Sequence, residues 1–167
     1  MNISKNMRIG MKNKNKKVCF IASSGGHLEE VKQLNKVKDV YDSYYIVATS
    51  KATQTNEYKY QVSDYNRDNI FLFLFTLIKT TIQQIKIFFK EKPDYIITTG
   101  PGMVLPTCII GKIFKRKIIY IESFARINSP SKTGKIIYKF ADMFLIQSEK
   151  LKEFYPNAIY GGALFWF

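Results

Sequence analysis

From Lys17 onward the chain alternates short apolar runs with longer segments of helical spacing, and glycine-rich turns follow two of those runs. Lys17–Ser23 is a continuous apolar run closing on Ser24-Gly25-Gly26, which predicts a buried parallel strand and its turn. Leu28, Val31, Leu34 and Val37 then recur at helical spacing, predicting a helix over His27–Val37. Tyr44–Thr49 predicts a second strand, and Glu57–Ser63 has room for a short third. Asn69–Lys90 reads as one long helix, with Pro93 just beyond it as a stop. Strands are predicted over Asp94–Thr99, Lys117–Glu122, Met143–Gln147 and Ala158–Tyr160, with helices at Val104–Phe114, Gly134–Phe140 and Glu149–Tyr155. Pro106 suits the first turn of its helix, where no N–H is needed. This order implies βαβ units and right-handed crossovers, and so an α/β, Rossmann-like doubly wound parallel sheet.

The first segment reads differently. Residues 1–17 hold six basic and no acidic side chains, and 1–16 are expected to be a mobile basic arm ahead of a domain over 17–162. The apolar run after the arm, Val18–Ala22, is shorter than the ~7–15 residues of a signal-peptide core. Over the whole chain 26 Lys and Arg against 13 Asp and Glu give a net charge of +13, which suits an anionic partner: nucleic acid, an acidic membrane or a phosphorylated substrate. Cys19 and Cys108 both lie in apolar runs and read as buried hydrophobes. With His27 as the single histidine and no CxxC pair, there are too few ligands for a zinc site.

Ligands of open α/β sheets bind at the carboxyl ends of the strands, and three loops there carry the candidate chemistry. In Ser23-Ser24-Gly25-Gly26-His27, backbone N–H groups and a helix start offer an anion site, and His27 is a candidate general base whose pKa a helix N-terminus would lower. The bland alternative is a tight turn with Ser23 or Ser24 as helix cap. The loop matches neither GxxxxGK[ST] nor GxGxxG. Thr99-Gly100-Pro101-Gly102 allows close approach of backbone to a ligand, or simply needs unusual angles. Glu122 ends a strand, where a carboxylate can serve a sugar or cap a helix.

Ile70–Ile78 is apolar but for Thr76, while Lys79, Lys86, Lys90 and Lys92 follow. Two readings stand: an interfacial membrane helix, with Phe71, Leu74, Phe75 and Ile78 in lipid and Lys79 and Lys86 at anionic headgroups, or a wide core helix. The lysines count against a bilayer span. The tail 163–167, with Leu164, Phe165 and Trp166, is apolar enough to pack on itself or on a partner.

The runs KVCFIASSGGHLEEVKQL, ITTGPGMVLP, YIESFARINSPSKTGKIIYKFADMFLIQ and IYGGALF together resemble one family across Lys17 to about Phe165. It is the family of capsular and exopolysaccharide proteins that act as enhancer subunits of split glycosyltransferases. Its eukaryotic relative is the membrane-recruiting subunit that helps add the second N-acetylglucosamine to dolichol diphosphate. Both are similar to the N-terminal half of MurG-type GT-B enzymes, although the first glycine loop here is shorter. The resemblance implies a non-autonomous, acceptor-binding subunit, peripheral on the cytoplasmic face of the plasma membrane. It implies a lipid diphosphate-linked saccharide acceptor, contacted by Ser23, Ser24, Gly25, Gly26, Thr99, Gly100 and Gly102, with His27 and Glu122 as catalytic candidates. It further implies a catalytic partner that carries the UDP-sugar, no cofactor on this chain, and transfer of galactose or glucose in β-1,4 linkage. The chain ends at Gly161-Gly162 and five further residues, where a GT-B interdomain linker would begin. Two other readings compete: an autonomous transferase completed by dimerisation, and a basic nucleic-acid-binding module. The latter rests on charge alone, without an RRM, KH or helix-turn-helix signature.

Overall fold

The computed structural model describes residues 13–51, 53–55, 57–63 and 69–164. Among the described residues seven parallel strands form one sheet: β1 (Asn13–Ala22), β2 (Tyr41–Ala48), β3 (Tyr60–Val62), β4 (Tyr95–Thr98), β5 (Lys117–Ile121), β6 (Met143–Ile146) and β7 (Ile159–Tyr160). Their order is β3-β2-β1-β4-β5-β6-β7. The order reverses between β1 and β4, which makes that junction the topological switch point where such sheets bind ligands.

Both faces are covered, so the inner strands read as unbroken apolar runs rather than alternations. On one face α1 (Gly26–Lys32) and α2 (Asn35–Val40) press Leu28, Val31, Leu34 and Val37 onto Val18, Phe20, Tyr45 and Val47. On the other lie α3 (Ile70–Glu91), α4 (Leu105–Ile113) and α5 (Lys132–Ile137), whose Ile87, Phe88, Cys108 and Ile137 pack on Cys19, Ile21, Ile46, Ile96 and Ile118. Both cysteines are buried and free.

Several boundaries differ from the sequence expectation, each for a local reason. The single helix expected over His27–Val37 is two. Gln33 and Leu34 donate to carbonyls three residues back, which tightens the chain into a turn while keeping Leu34 and Val37 on the core side. β1 begins at Asn13, so residues 13–16 belong to the sheet and not to an arm. Lys16 reaches Asp94 at 3.1 Å, and Lys17 reaches Glu91 at 3.0 Å, so these lysines are anchored by carboxylates. Residues 1–12 lie outside the described part. The helix after β5 starts at Lys132 because the Ser131 hydroxyl caps it, accepting from Gly134 N at 2.8 Å. The expected helix over Glu149–Tyr155 is a 3₁₀ turn, Glu149–Glu153.

α3 is capped by Asn69, whose side chain accepts from Phe71 N and Leu72 N, and it ends on Lys92 at φ 48°, just before Pro93. Its buried side chains are Thr80, Gln84, Ile87, Phe88 and Glu91, all from the middle of the helix onward. Gln84 is the register pin: its amide donates to Met103 O at 2.9 Å and accepts from Thr107 Oγ1 at 2.7 Å. A helix leading into a parallel strand runs opposite to it, so the start of α3 points toward the carboxyl edge of the sheet. At 1.5 Å per residue, Ile70 stands roughly 20 Å beyond Gln84 in that direction. The apolar half of α3 therefore overhangs the switch-point edge, with Phe71 79% and Phe75 65% exposed. By length and composition α3 could cross a membrane. Its buried Thr80, Gln84 and Glu91 tie it to the domain from the middle onward.

Candidate functional site

The loops after β1 and β4 meet at the switch point. Gly25 and Gly100 take φ of +86° and +99°, a region that side chains with a Cβ rarely enter. Thr99 Oγ1 donates to His27 O at 2.9 Å, which ties the two turns together, and Gly100 N donates to Thr98 Oγ1 at 3.0 Å within the second. Gly100 is wedged between His27 and Tyr120: a Cβ there would lie 3.2 Å from Tyr120 Oη and 3.5 Å from His27 Cε1. Open space surrounds Gly25 and Gly26, where an added Cβ would meet nothing within 4 Å. Ser23 Oγ donates only to Ser24 O, and neither serine caps α1, whose N-cap is Gly25. α1 is seven residues long, so the dipole expected to serve an anion and to tune His27 is a short one.

The His27 pKa is lowered, and burial is the main cause; the Thr99 backbone and Glu122 oppose the shift, and the Arg126 cation adds to it. Its Nδ1 is buried and has no hydrogen-bond partner. Burial thus favours the neutral imidazole.

Glu122 is placed differently from expectation. It is fully buried, and its carboxylate accepts from Tyr155 Oη at 2.9 Å, from Ser123 N and Ser131 N at 3.1 Å each, and from Ser131 Oγ at 3.1 Å. With that many donors inside the protein it organises the loop between β5 and α5 rather than facing a sugar. Gly134 packs directly on it, since an added Cβ would fall 2.3 Å from Glu122 Oε2 and 2.6 Å from Tyr155 Oη. A second buried carboxylate, Glu30 on α1, accepts from Ser123 Oγ at 2.9 Å and Phe124 N at 3.0 Å. The two carboxylates fasten the third loop to the first. Burial raises the Glu30 pKa, while the bonds from Ser123 and Phe124 pull the other way.

Tyr120, Glu30 and Ser131 were not legible as site residues. Tyr120 sits in the strand KIIYI and looks like any core aromatic, and Glu30 looks like one charge on an exposed helix face. The pattern S-x-x-G at 131–134 was the available signal for the cap at Ser131.

Gly102 joins this edge to α4; a Cβ on it would lie 3.8 Å from Thr133 Oγ1. Lys79 and Lys86 are exposed on α3, as are Phe71, Leu74, Phe75 and Ile78. Leu164, in the tail expected to pack on itself or on a partner, is half-buried against the domain's own core, and its N–H donates to Gln147 Oε1 at 2.8 Å. Phe165 and Trp166 lie outside the described residues. Among the described residues no group of three or more His, Cys, Asp or Glu gathers as a metal site.

Solved structures share this fold. Acinetobacter baumannii MurG superposes with a TM-score of 0.63 at 16% identity, over 81% of this chain and 42% of that one. A UDP-N-acetylglucosamine 2-epimerase from Rickettsia bellii gives 0.71 at 13% identity, over 90% and 45%. This chain thus spans less than half the length of either structure. Among curated proteins it is similar to the human "UDP-N-acetylglucosamine transferase subunit ALG14", 26% identical over 177 aligned positions that cover 88% of this chain and 82% of the relative. The Schizosaccharomyces pombe protein of the same description is 38% identical over 96 positions, covering 53% and 46%. Residues 18–164 match the family described as "Oligosaccharide biosynthesis protein Alg14 like", and the chain belongs to that family.

Proposed function

We propose that this chain is the membrane-docking, acceptor-binding subunit of a two-component glycosyltransferase. The observation that carries the reading is a coincidence of place: the apolar overhang of α3 and the His27 and Gly100 loops share one edge of the sheet. A protein resting on a membrane through Phe71, Leu74, Phe75 and Ile78, with Lys79 and Lys86 toward anionic headgroups, holds those loops over the headgroup layer. The acceptor it would meet there is a saccharide on a lipid diphosphate. Family membership supports the subunit role, because the relatives are described as transferase subunits. It also supports a UDP-sugar donor, held by a catalytic partner.

In this reading Ser23, Ser24, Gly25 and Gly26 on one side, and Thr99, Gly100 and Gly102 on the other, line the bed of the acceptor diphosphate. Neutral His27 takes the proton of the acceptor hydroxyl as its oxygen bonds to the anomeric carbon and UDP leaves. Glu122 holds the wall of that bed in shape. The protein works at the cytoplasmic face of the plasma membrane, in assembly of a capsular or extracellular polysaccharide, with galactose or glucose as the transferred sugar. The resemblance noted in the sequence supports these narrower statements.

The test is co-purification with the glycosyltransferase subunit expressed alongside it, followed by UDP-sugar titration. Binding of UDP-sugar by the pair and not by this chain alone is expected. Tight binding by this chain alone would place the donor site here and defeat the division of labour.

A further inference from the structure

A groove of about 750 Å³ runs between α3 and α4 and ends at the start of α5. Phe73, Leu77 and Ile85 form one wall, and Leu105, Ile109 and Ile113 form the other. Apart from Thr81, the polar lining residues are Lys132 and Thr133, both at the end next to Gly102. That end is the carboxyl edge of the sheet, one turn of chain from Gly100 and His27. The groove therefore has the polarity of an amphiphile: apolar along its length, cationic at the mouth that adjoins the Gly100 and His27 loops.

We infer that this groove holds the first part of the isoprenoid chain of the acceptor lipid, with its diphosphate at the Lys132–Thr133–Gly102 end. The inference rests on the subunit reading above and adds where the lipid tail goes. Three observations select this occupant. The groove's size lies within the ~300–1,000 Å³ typical of small-molecule sites. Its charge is on the side a diphosphate requires, with Lys132 exposed at the mouth. Its α3 wall, the stripe Phe73-Leu77-Thr81-Ile85, lies directly beside the exposed stripe Phe71-Leu74-Phe75-Ile78. A tail can pass from the bilayer into the groove without leaving apolar contact, which avoids the cost of wetting it.

The experiment measures equilibrium binding of farnesyl diphosphate to the full chain, with inorganic pyrophosphate, farnesol and dodecyl phosphate as competitors. Farnesyl diphosphate should bind at least ~10-fold more tightly than pyrophosphate or farnesol, because each supplies one end of the site. Ile109→Trp, at a position 47% exposed where a larger ring can be tolerated, should fill the groove. It should weaken farnesyl diphosphate by about tenfold and leave pyrophosphate unchanged. Lys132→Glu, also on the surface, should weaken both. The variant Lys36→Ala, exposed on α2 across the sheet from the groove, should bind as the parent does. Unaltered farnesyl diphosphate binding in Ile109→Trp would overturn the inference. So would pyrophosphate competing as well as farnesyl diphosphate, dodecyl phosphate competing equally well, or displacement of the probe by the catalytic subunit. The assay needs no partner, so failure of the assembled pair to transfer sugar would strike the subunit reading while the groove is decided here.

Discussion

Replacing Phe71, Leu74 and Phe75 with serine should release the protein from anionic vesicles and leave its fold intact. The magnitudes follow from exposure. Phe71 and Phe75 are 79% and 65% exposed, and Leu74 is 47% exposed. An aromatic ring carries ~150–250 Å² of surface, so the three side chains offer on the order of 300 Å² to lipid. At ~25 cal/mol per Å² that is roughly 7 kcal/mol of transfer free energy if fully immersed, and about half for a helix lying at the interface. A loss of even 3 kcal/mol is a partition coefficient lower by more than a hundredfold. Folding should change by less than ~1 kcal/mol, because these rings contribute little to the core and Asn69, Gln84 and Glu91 still fix the helix. Vesicle co-sedimentation, read beside a urea melt of the same samples, separates the two quantities. Retained vesicle binding, or a variant that unfolds, would refute the reasoning.

Four further outcomes follow. His27→Ala in the assembled transferase should lower kcat by ~100-fold or more with little change in acceptor KM, whereas a rise in KM alone would make His27 a binding residue. Gly134→Ala drives a methyl group into Glu122 and Tyr155 and should cost ~3 kcal/mol or more of stability, measured by denaturant melts. Glu122→Gln keeps the shape but reduces the acceptor strength toward Tyr155 and Ser131; it should lower the melting temperature well before it alters chemistry, and a variant of parental stability but no activity would return Glu122 to the catalytic set. The Glu91 pKa, raised by burial but more than offset by Tyr60, Lys59 and Lys17, falls from 4.5 to about 2. Its contribution, on the order of 2 kcal/mol after screening, is full above pH 4.5 and is lost as pH falls toward 2; Glu91→Gln should flatten the acid limb of a melting-temperature curve.

The doubly wound sheet was readable because its strands are continuous apolar runs, each followed by a helix-period segment, and because turn residues mark nearly every junction. The glycine loops at 25–26 and 100–102 were readable for the same reason. The environment of those loops was hidden by distance along the chain. Glu30 meets Ser123 across 93 positions and Tyr155 meets Glu122 across 33, so neither pair leaves a local pattern. Glu122 looked catalytic because an isolated carboxylate at a strand end has no visible partners in sequence; its donors come from three separate segments. Leu164 could be read as packing on its own domain or on a partner because its dock on Gln147 joins residues 17 positions apart. α3 could be read either way because its first half overhangs while its second half is built into the domain.

The most direct test of the account is transfer itself. Radiolabelled sugar should pass from UDP-sugar to a lipid diphosphate-linked saccharide when this chain and its catalytic subunit are reconstituted together on anionic vesicles. Either polypeptide alone should give background rates. Sustained turnover by this chain alone, at a rate matching the pair, would contradict the account.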